Sequence, residues 1–266
     1  MYAPGQVDLR MALAVWMRNL TNYKRTWKMN LFPNFFEPIV FLFGMGLGLG
    51  RYLHDGMQGQ SYVVFLAPGL MAANAMNGAS LEVTWNMFVK MNMQRLYDAF
   101  LTTPASITDV GFGEVLWATT RALIYGVGFI VVVSLMQLGG FEIFRSWTVV
   151  FLPIVLALTG WFFSLLGQLY TSYVRVIDLY SYYYSLFLTP LFLFSGIFFP
   201  VTDIPYGGTI ASFTPLFHSV RLVRALCAGT FGGAEWLSLG YLVIASLLLM
   251  VWVPARMRRR FGFSRP

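Results

Sequence analysis

Apolar residues in this chain fall into long blocks separated by short polar connections. Blocks free of charge run over 62–81, 122–140, 146–174, 179–202 and 236–255. A further block, 31–53, is apolar except for Glu37 until Arg51. A helix that crosses a bilayer needs roughly 20 such residues. The pattern therefore predicts six transmembrane helices, over 31–53, 62–88, 111–138, 146–172, 178–199 and 235–255. The expected fold class is an all-α integral membrane protein, with 1–266 as one transmembrane domain.

The connections carry patterns of their own. Before the first block, Leu9, Leu13, Trp16, Leu20, Tyr23 and Trp27 recur at three- and four-residue steps, with Arg18 and Arg25 opposite. Such a stripe predicts an interfacial helix over 7–28, its basic groups toward anionic headgroups. Between the second and third blocks, residues 92–104 predict a short helix lying across the membrane face and closed by Pro104. Gln94, Arg95, Leu96, Tyr97 and Phe100 would sit on it, and its apolar side chains could fill a groove on a partner, or lie on lipid or on the protein itself. Residues 200–230 are too apolar for a surface loop and too broken for one helix. Pro200, Pro205 and Pro215 interrupt this part of the chain, and Gly207 with Gly208 sits between them. The expectation is a pair of re-entrant helices broken at the glycines, capping an opening with Ser195, Gly196 and His218 close by. In the first block, GMGLGLG sets Gly44 with Gly48 and Gly46 with Gly50, which suits close helix packing inside one chain or at a dimer seam.

Composition agrees with a membrane protein: 58% of residues are hydrophobic and 11% charged, against about a quarter charged in soluble domains. The net charge of +7 would suggest nucleic acid in a soluble protein, but its distribution points elsewhere. With the N-terminus inside, thirteen basic residues fall in cytoplasmic segments and four in outer ones. Both termini are therefore expected in the cytoplasm. One cysteine, Cys227, excludes an internal disulfide framework, and two distant histidines, His54 and His218, form no closely spaced metal pair. None of the three lysines follows a glycine, so the chain has no phosphate-cradling loop of the G-x-x-x-x-G-K type. No catalytic residue and no metal site is expected.

Charges within the predicted spans are few. Glu37, Glu114 and Arg121 are the candidates, and groups at that depth face protein or water. Glu114 and Arg121 stand two helical turns apart, roughly 10 Å by helix rise, so each should find its partner on another helix. Tyrosines crowd the junction of the fourth and fifth spans. Tyr180, Tyr183 and Tyr184 read either as part of an interfacial aromatic belt or as a stacking surface along a substrate path.

The stretches FFEPIVFLFGMGLGLG, FLAPGLMAANAM, YDAFLTTPASITDVGFGEVLWATTR, SGIFFPVTDIP and TPLFHSVRLVR give the chain a resemblance to the permease subunits of ABC-2-type exporters. It looks most like the branch that exports nodulation factors, which are lipo-oligosaccharides. The resemblance implies an N-terminal interfacial helix, six spans, a cytoplasmic coupling helix and re-entrant helices before the last span. It further implies a homodimer bound to two copies of a separate ATPase, with ATP and magnesium held on that subunit and no cofactor on this chain. The coupling helix would seat in the ATPase, and a lipid-linked saccharide or other amphipathic cargo would leave the bacterial cytoplasmic (inner) membrane. Rival readings are a hydrophobic drug exporter of the same type, an ion-coupled secondary transporter that uses Glu37, Glu114 or Arg121, and a lipid-modifying enzyme built on His218.

Overall fold

The computed structural model describes residues 7–53, 57 and 59–262, with backbone alone at 30–35, 37, 38, 101, 261 and 262. It is all-helical among these residues, apart from one isolated bridge between Met57 and Gln60. The chain opens with α1, Leu9–Phe41, which passes through a π-helical segment, Leu42–Gly48, and a 3₁₀ turn, Leu49–Arg51. The boundary expected between an interfacial helix at 28 and a span at 31 is thus not a break in helical backbone. Glu37 and His54 lie outside the residues whose side chains are described.

α2, Tyr62–Leu81, occupies the centre of the bundle. Eighteen of its twenty residues are buried, which explains why it is apolar all round and not on one stripe. Its helical path continues through π turns at Glu82–Asn86 and Val89–Met93. α3, Leu96–Leu101, and α4, Ile107–Leu138, follow. α4 starts earlier than the expected 111 because Ser106 and Asp109 form a capping box. The Ser106 hydroxyl accepts from the Asp109 amide at 3.2 Å, and the Ser106 amide donates to the Asp109 carboxylate at 2.8 Å.

A 3₁₀ turn, Trp147–Phe151, leads into α5, Leu152–Tyr173. The next helical path comprises α6, Leu179–Tyr182, a π segment, Tyr183–Leu188, and α7, Thr189–Phe194. It ends five residues before the expected 199 and is shorter than the roughly 20 residues a span needs. α8, Gly207–Ser212, and α9, Pro215–Ala228, precede the long α10, Gly233–Gly262. Among the described residues, three helical stretches are long and apolar enough to cross a membrane by themselves: Ile107–Leu138, Trp147–Tyr173 and Gly233–Arg260.

Small residues and side-chain hydrogen bonds hold the helices together. A Cβ on Gly78 would lie 2.3 Å from the Tyr125 ring, and one on Gly113 would lie 2.6 Å from the Ala12 carbonyl oxygen. These approaches let α2 and α1 lie close against α4. Gln168 donates to the Gly111 carbonyl at 2.9 Å, and Thr171 to the Val83 carbonyl at 2.6 Å. Each bond joins α5 to a neighbouring helix.

The face that α1 turns inward is Ala12, Val15, Asn19 and Tyr23, with the Trp16 indole donating to Thr120 at 2.9 Å. Leu9, Leu13 and Trp27 of the expected stripe stay exposed. The stripe therefore divides: Trp16 and Tyr23 turn inward beside the smaller Ala12, Val15 and Asn19, and Leu9, Leu13 and Trp27 remain on the outside. The largest cluster of buried side chains runs through the body of the bundle around α2, and smaller ones lie apart from it. One gathers Val15, Met91, Tyr97, Ile107, Val253 and Met257, and so brings together the described chain ends and the 94–106 connection. At the opposite end Tyr62 donates to the Phe198 carbonyl at 3.1 Å, and the Arg145 amide to the Cys227 carbonyl at 2.8 Å.

Candidate functional site

Four ionisable side chains meet beneath the end that holds both described chain ends. Lys90, on the π-helical extension of α2, lies 2.8 Å from Glu82 and 2.8 Å from Glu114. Arg121 stands 3.9 Å from the other oxygen of Glu82, which also accepts from the Asn86 amide at 2.9 Å. Glu114 is fully buried and Arg121 is 4% exposed. The Arg121 guanidinium lies over the Tyr23 and Tyr125 rings, 4.7 and 5.0 Å from their centroids, and donates to the Tyr125 hydroxyl. Two acids face two bases, so the group is charge-balanced, which is what makes its burial tolerable.

Glu114 and Arg121 therefore do find partners on other helices. The members that sequence reasoning missed are Glu82 and Lys90, assigned to the far end of an apolar block and its polar connection. A signal was present: Glu82, Asn86 and Lys90 recur at four-residue steps, which sets them along one helical face.

α3 stands directly above this network. Arg95 precedes it with φ +47°, a left-handed conformation that ends the α2 path and turns the chain into α3. The expected helix over 92–104 is therefore a six-residue helix preceded by a turn. Gln94, Arg95 and Asp98 are exposed, while Leu96 and Phe100 are half-buried. Of the settings its pattern left open, Tyr97 takes the one against its own protein and not that of an outward anchor: it is 1% exposed among Val15, Met91 and Val110, and its hydroxyl lies close to the Glu114 carboxylate. Burial, then the nearby Glu114 charge, pushes its phenol well above the ordinary tyrosine range, so it stays a neutral donor. α3 is too short to bury an apolar face by itself, and the tyrosine fixes it to the bundle.

The opposite end is arranged differently from expectation. Gly207 and Gly208 begin α8 and do not divide two helices. The division falls at Phe213 and Thr214, because Pro215 favours the first turn of a helix and keeps the residue before it extended. A Cβ at Gly207 would lie 2.2 Å from the Val201 carbonyl oxygen, so glycine is needed there for close approach. Pro200 precedes a 3₁₀ turn, Val201–Asp203, and Pro205 adjoins Tyr206, whose φ is +62°. The Ser195 hydroxyl donates to the Leu191 carbonyl. Gly196, at φ +76°, turns its carbonyl to Arg224, which donates at 2.9 Å. His218 donates from Nε2 to the Ser212 carbonyl at 2.8 Å, its Nδ1 lies 3.0 Å from the Ser238 hydroxyl, and its ring stacks on Tyr241. Both ring nitrogens thus tie α9 to its neighbours.

Residues 11–227 match the family described as ABC-2 type transporter. The chain belongs to the ABC-2 type transporter family. It is 33% identical over 250 residues to nodulation protein J of Rhizobium leguminosarum bv. viciae, covering 93% of this chain and 94% of the relative. Nodulation protein J of Rhizobium leguminosarum bv. trifolii is 35% identical over 219 residues, 82% of this chain and 81% of that one. The inner membrane transport permease YadH of Escherichia coli K12 is 27% identical over 212 residues, covering 79% and 80% of the two chains. Family and apolar helices together make this a membrane-embedded transport subunit of the ABC-2 kind.

In this ABC-2 transporter chain the crowded tyrosines divide. Tyr180 and Tyr183 are buried between helices, whereas Tyr182 is exposed. Tyr180 donates to Thr171 at 3.2 Å, and the Tyr184 hydroxyl lies 2.9 Å from that of Thr84. Within one chain these side chains hold the fifth helical path to α5 and to the end of α2. The face left open next to them, lined by Leu169, Tyr173, Tyr182, Leu186 and Phe187, is an apolar groove of about 380 Å³.

Proposed function

We propose that this chain is the permease subunit of an ATP-driven exporter, working as a homodimer with two copies of a separate ATPase. Its six helical paths span the inner membrane with both termini in the cytoplasm, and α8 and α9 dip back from the outer side. Its cargo is amphipathic, a lipid-linked saccharide or lipo-oligosaccharide. The supporting relatives are the nodulation J proteins, and the observation that carries the coupling mechanism is the setting of α3. Asp98 on this helix and Gln94 and Arg95 in the turn before it are open to a partner; the buried side is joined through Tyr97 to the Glu114–Lys90–Glu82–Arg121 network. A push on α3 by a closing ATPase would thus load α2 and α4 together. ATP and magnesium would sit on the partner, and this chain's part is to bind, transmit and open.

Replacing both exposed charges, Arg95→Glu with Asp98→Arg, should abolish co-purification of the ATPase while the permease still inserts and melts normally. Undiminished co-purification would contradict docking at α3.

A further inference from the structure

A cavity of about 180 Å³ opens between the inner half of α1, the π-helical extension of α2 and α4. That is many times the space one water needs. Its wall holds Arg18, Asn19, Tyr23, Glu82, Lys90 and Arg121. Glu82 is the acid in this wall, and its two oxygens are already engaged by Lys90 and Asn86. Three groups in the wall that are at least nine-tenths buried carry a polar atom with no hydrogen-bond partner: Asn19 Nδ2, Tyr23 Oη and Arg121 Nε. The side-chain oxygen of Asn19 accepts from Arg18 Nη1 at 3.2 Å, which leaves the amide NH₂ as the free end. The atoms without a hydrogen-bond partner are therefore all able to donate, Arg121 Nε facing Glu82 only at the 3.9 Å of an ion pair, and a guanidinium stands at each side of the cavity.

Buried donors without acceptors are costly, and such a set is satisfied by a ligand rich in acceptors. We infer that this cavity binds a phosphate-type oxyanion, with Arg18 and Arg121 as its counter-ions and Asn19 and Tyr23 as neutral donors. Two sources share that chemistry: the headgroup of an anionic phospholipid entering beside α1, and free phosphate or a soluble phosphate ester. The site is independent of the exporter reading. It does adjoin α3, because the Arg18 guanidinium lies 5.8 Å from the Phe100 ring centroid and Gln94 also lines the cavity. An occupant that draws Arg18 inward would pull on the residues flanking Tyr97.

The test uses the full chain in phosphatidylcholine nanodiscs. Binding of inorganic phosphate and of glycerol 3-phosphate is measured by calorimetry, and phosphatidylglycerol added to the nanodiscs is followed by thermal melting and native mass spectrometry. Saturable binding of a soluble probe identifies free phosphate or its esters as occupant. Stabilisation and retention of phosphatidylglycerol without soluble-probe binding identifies the lipid headgroup. In either case Arg18→Gln should weaken binding by roughly tenfold, the loss of one charge-assisted hydrogen bond. Asn19→Asp, which puts a negative charge at the same place, should weaken it further, and melting of the unliganded variants reports whether they fold. Absence of binding by all three probes, or equal binding by the wild type and both folded variants, would mean that only water fills the cavity and would overturn the inference.

Discussion

Lys90 is the side chain on which the buried network depends, since it alone reaches both Glu82 and Glu114. Removing one partner of a buried ion pair leaves an uncompensated charge and costs about 3–5 kcal/mol. Lys90→Met should therefore lower the melting temperature of the purified chain sharply, and adding Glu114→Gln should restore part of the loss. If Lys90→Met melts like the wild type, the network is not as it is described here. Tyr97 separates packing from coupling. Tyr97→Phe keeps the buried ring and loses the contact with Glu114, so the chain should fold and bind the ATPase while transport per ATP hydrolysed falls. Tyr97→Glu would put a second acid beside Glu114 and should prevent folding, a different outcome from the one an exposed anchor would give. Arg95 holds a left-handed backbone that favours glycine. Arg95→Gly should thus leave stability unchanged or slightly raised while weakening ATPase docking, which reports the charge separately from the turn.

At the scale of elements, close approaches decide where helices lie. Gly207 and Gly208 are neighbours with different duties: a Cβ at Gly207 meets a backbone oxygen at 2.2 Å, whereas one at Gly208 meets the Thr202 methyl at 3.7 Å. Gly207→Ala should cost roughly 1–3 kcal/mol through overpacking, and Gly208→Ala should stay within about 0.5 kcal/mol; thermal melts of the two variants compare them directly. The apolar blocks were legible in the sequence because burial in lipid or protein demands them, and Pro215 was legible as an interruption. What it would do was not, because the glycine pair offered an equally good break, and only packing against Val201 assigns the glycines to a helix start. The setting of α1 was hidden for a related reason. Its contact with α4 runs in part through Ala12 and Gly113, residues too small to register in a hydrophobic stripe, while of the bulky residues that drew attention Leu9, Leu13 and Trp27 face outward and Trp16 and Tyr23 face α4. Tyr97 was left undecided for a like reason: helical spacing placed it with Phe100 on one apolar side but could not say whether that side met a partner, lipid or its own protein.

For the whole molecule, the two ends of the bundle differ in kind. One collects both described chain ends, α3, the buried charge network and the donor-lined cavity. The other is built from α8, α9 and the turns around Gly196. The glycine pairs after α1 carry this asymmetry to the surface, since a Cβ on Gly46 would lie only 3.0 Å from the Val63 side chain, while Gly44 and Gly48 have nothing within 4 Å. Half of that motif is thus used inside the chain, and the other half remains open for a second copy in the proposed dimer. The proposed function is that this chain transmits the work of a separate ATPase. Its most direct test is gentle extraction from the native membrane followed by native mass spectrometry of everything that travels with the chain, after crosslinking to retain weak complexes. Two copies of this chain with two nucleotide-binding subunits are predicted, and the Arg95→Glu, Asp98→Arg variant should yield the permease without them. A wild-type chain recovered without any nucleotide-binding subunit, from membranes that still export, would contradict the account.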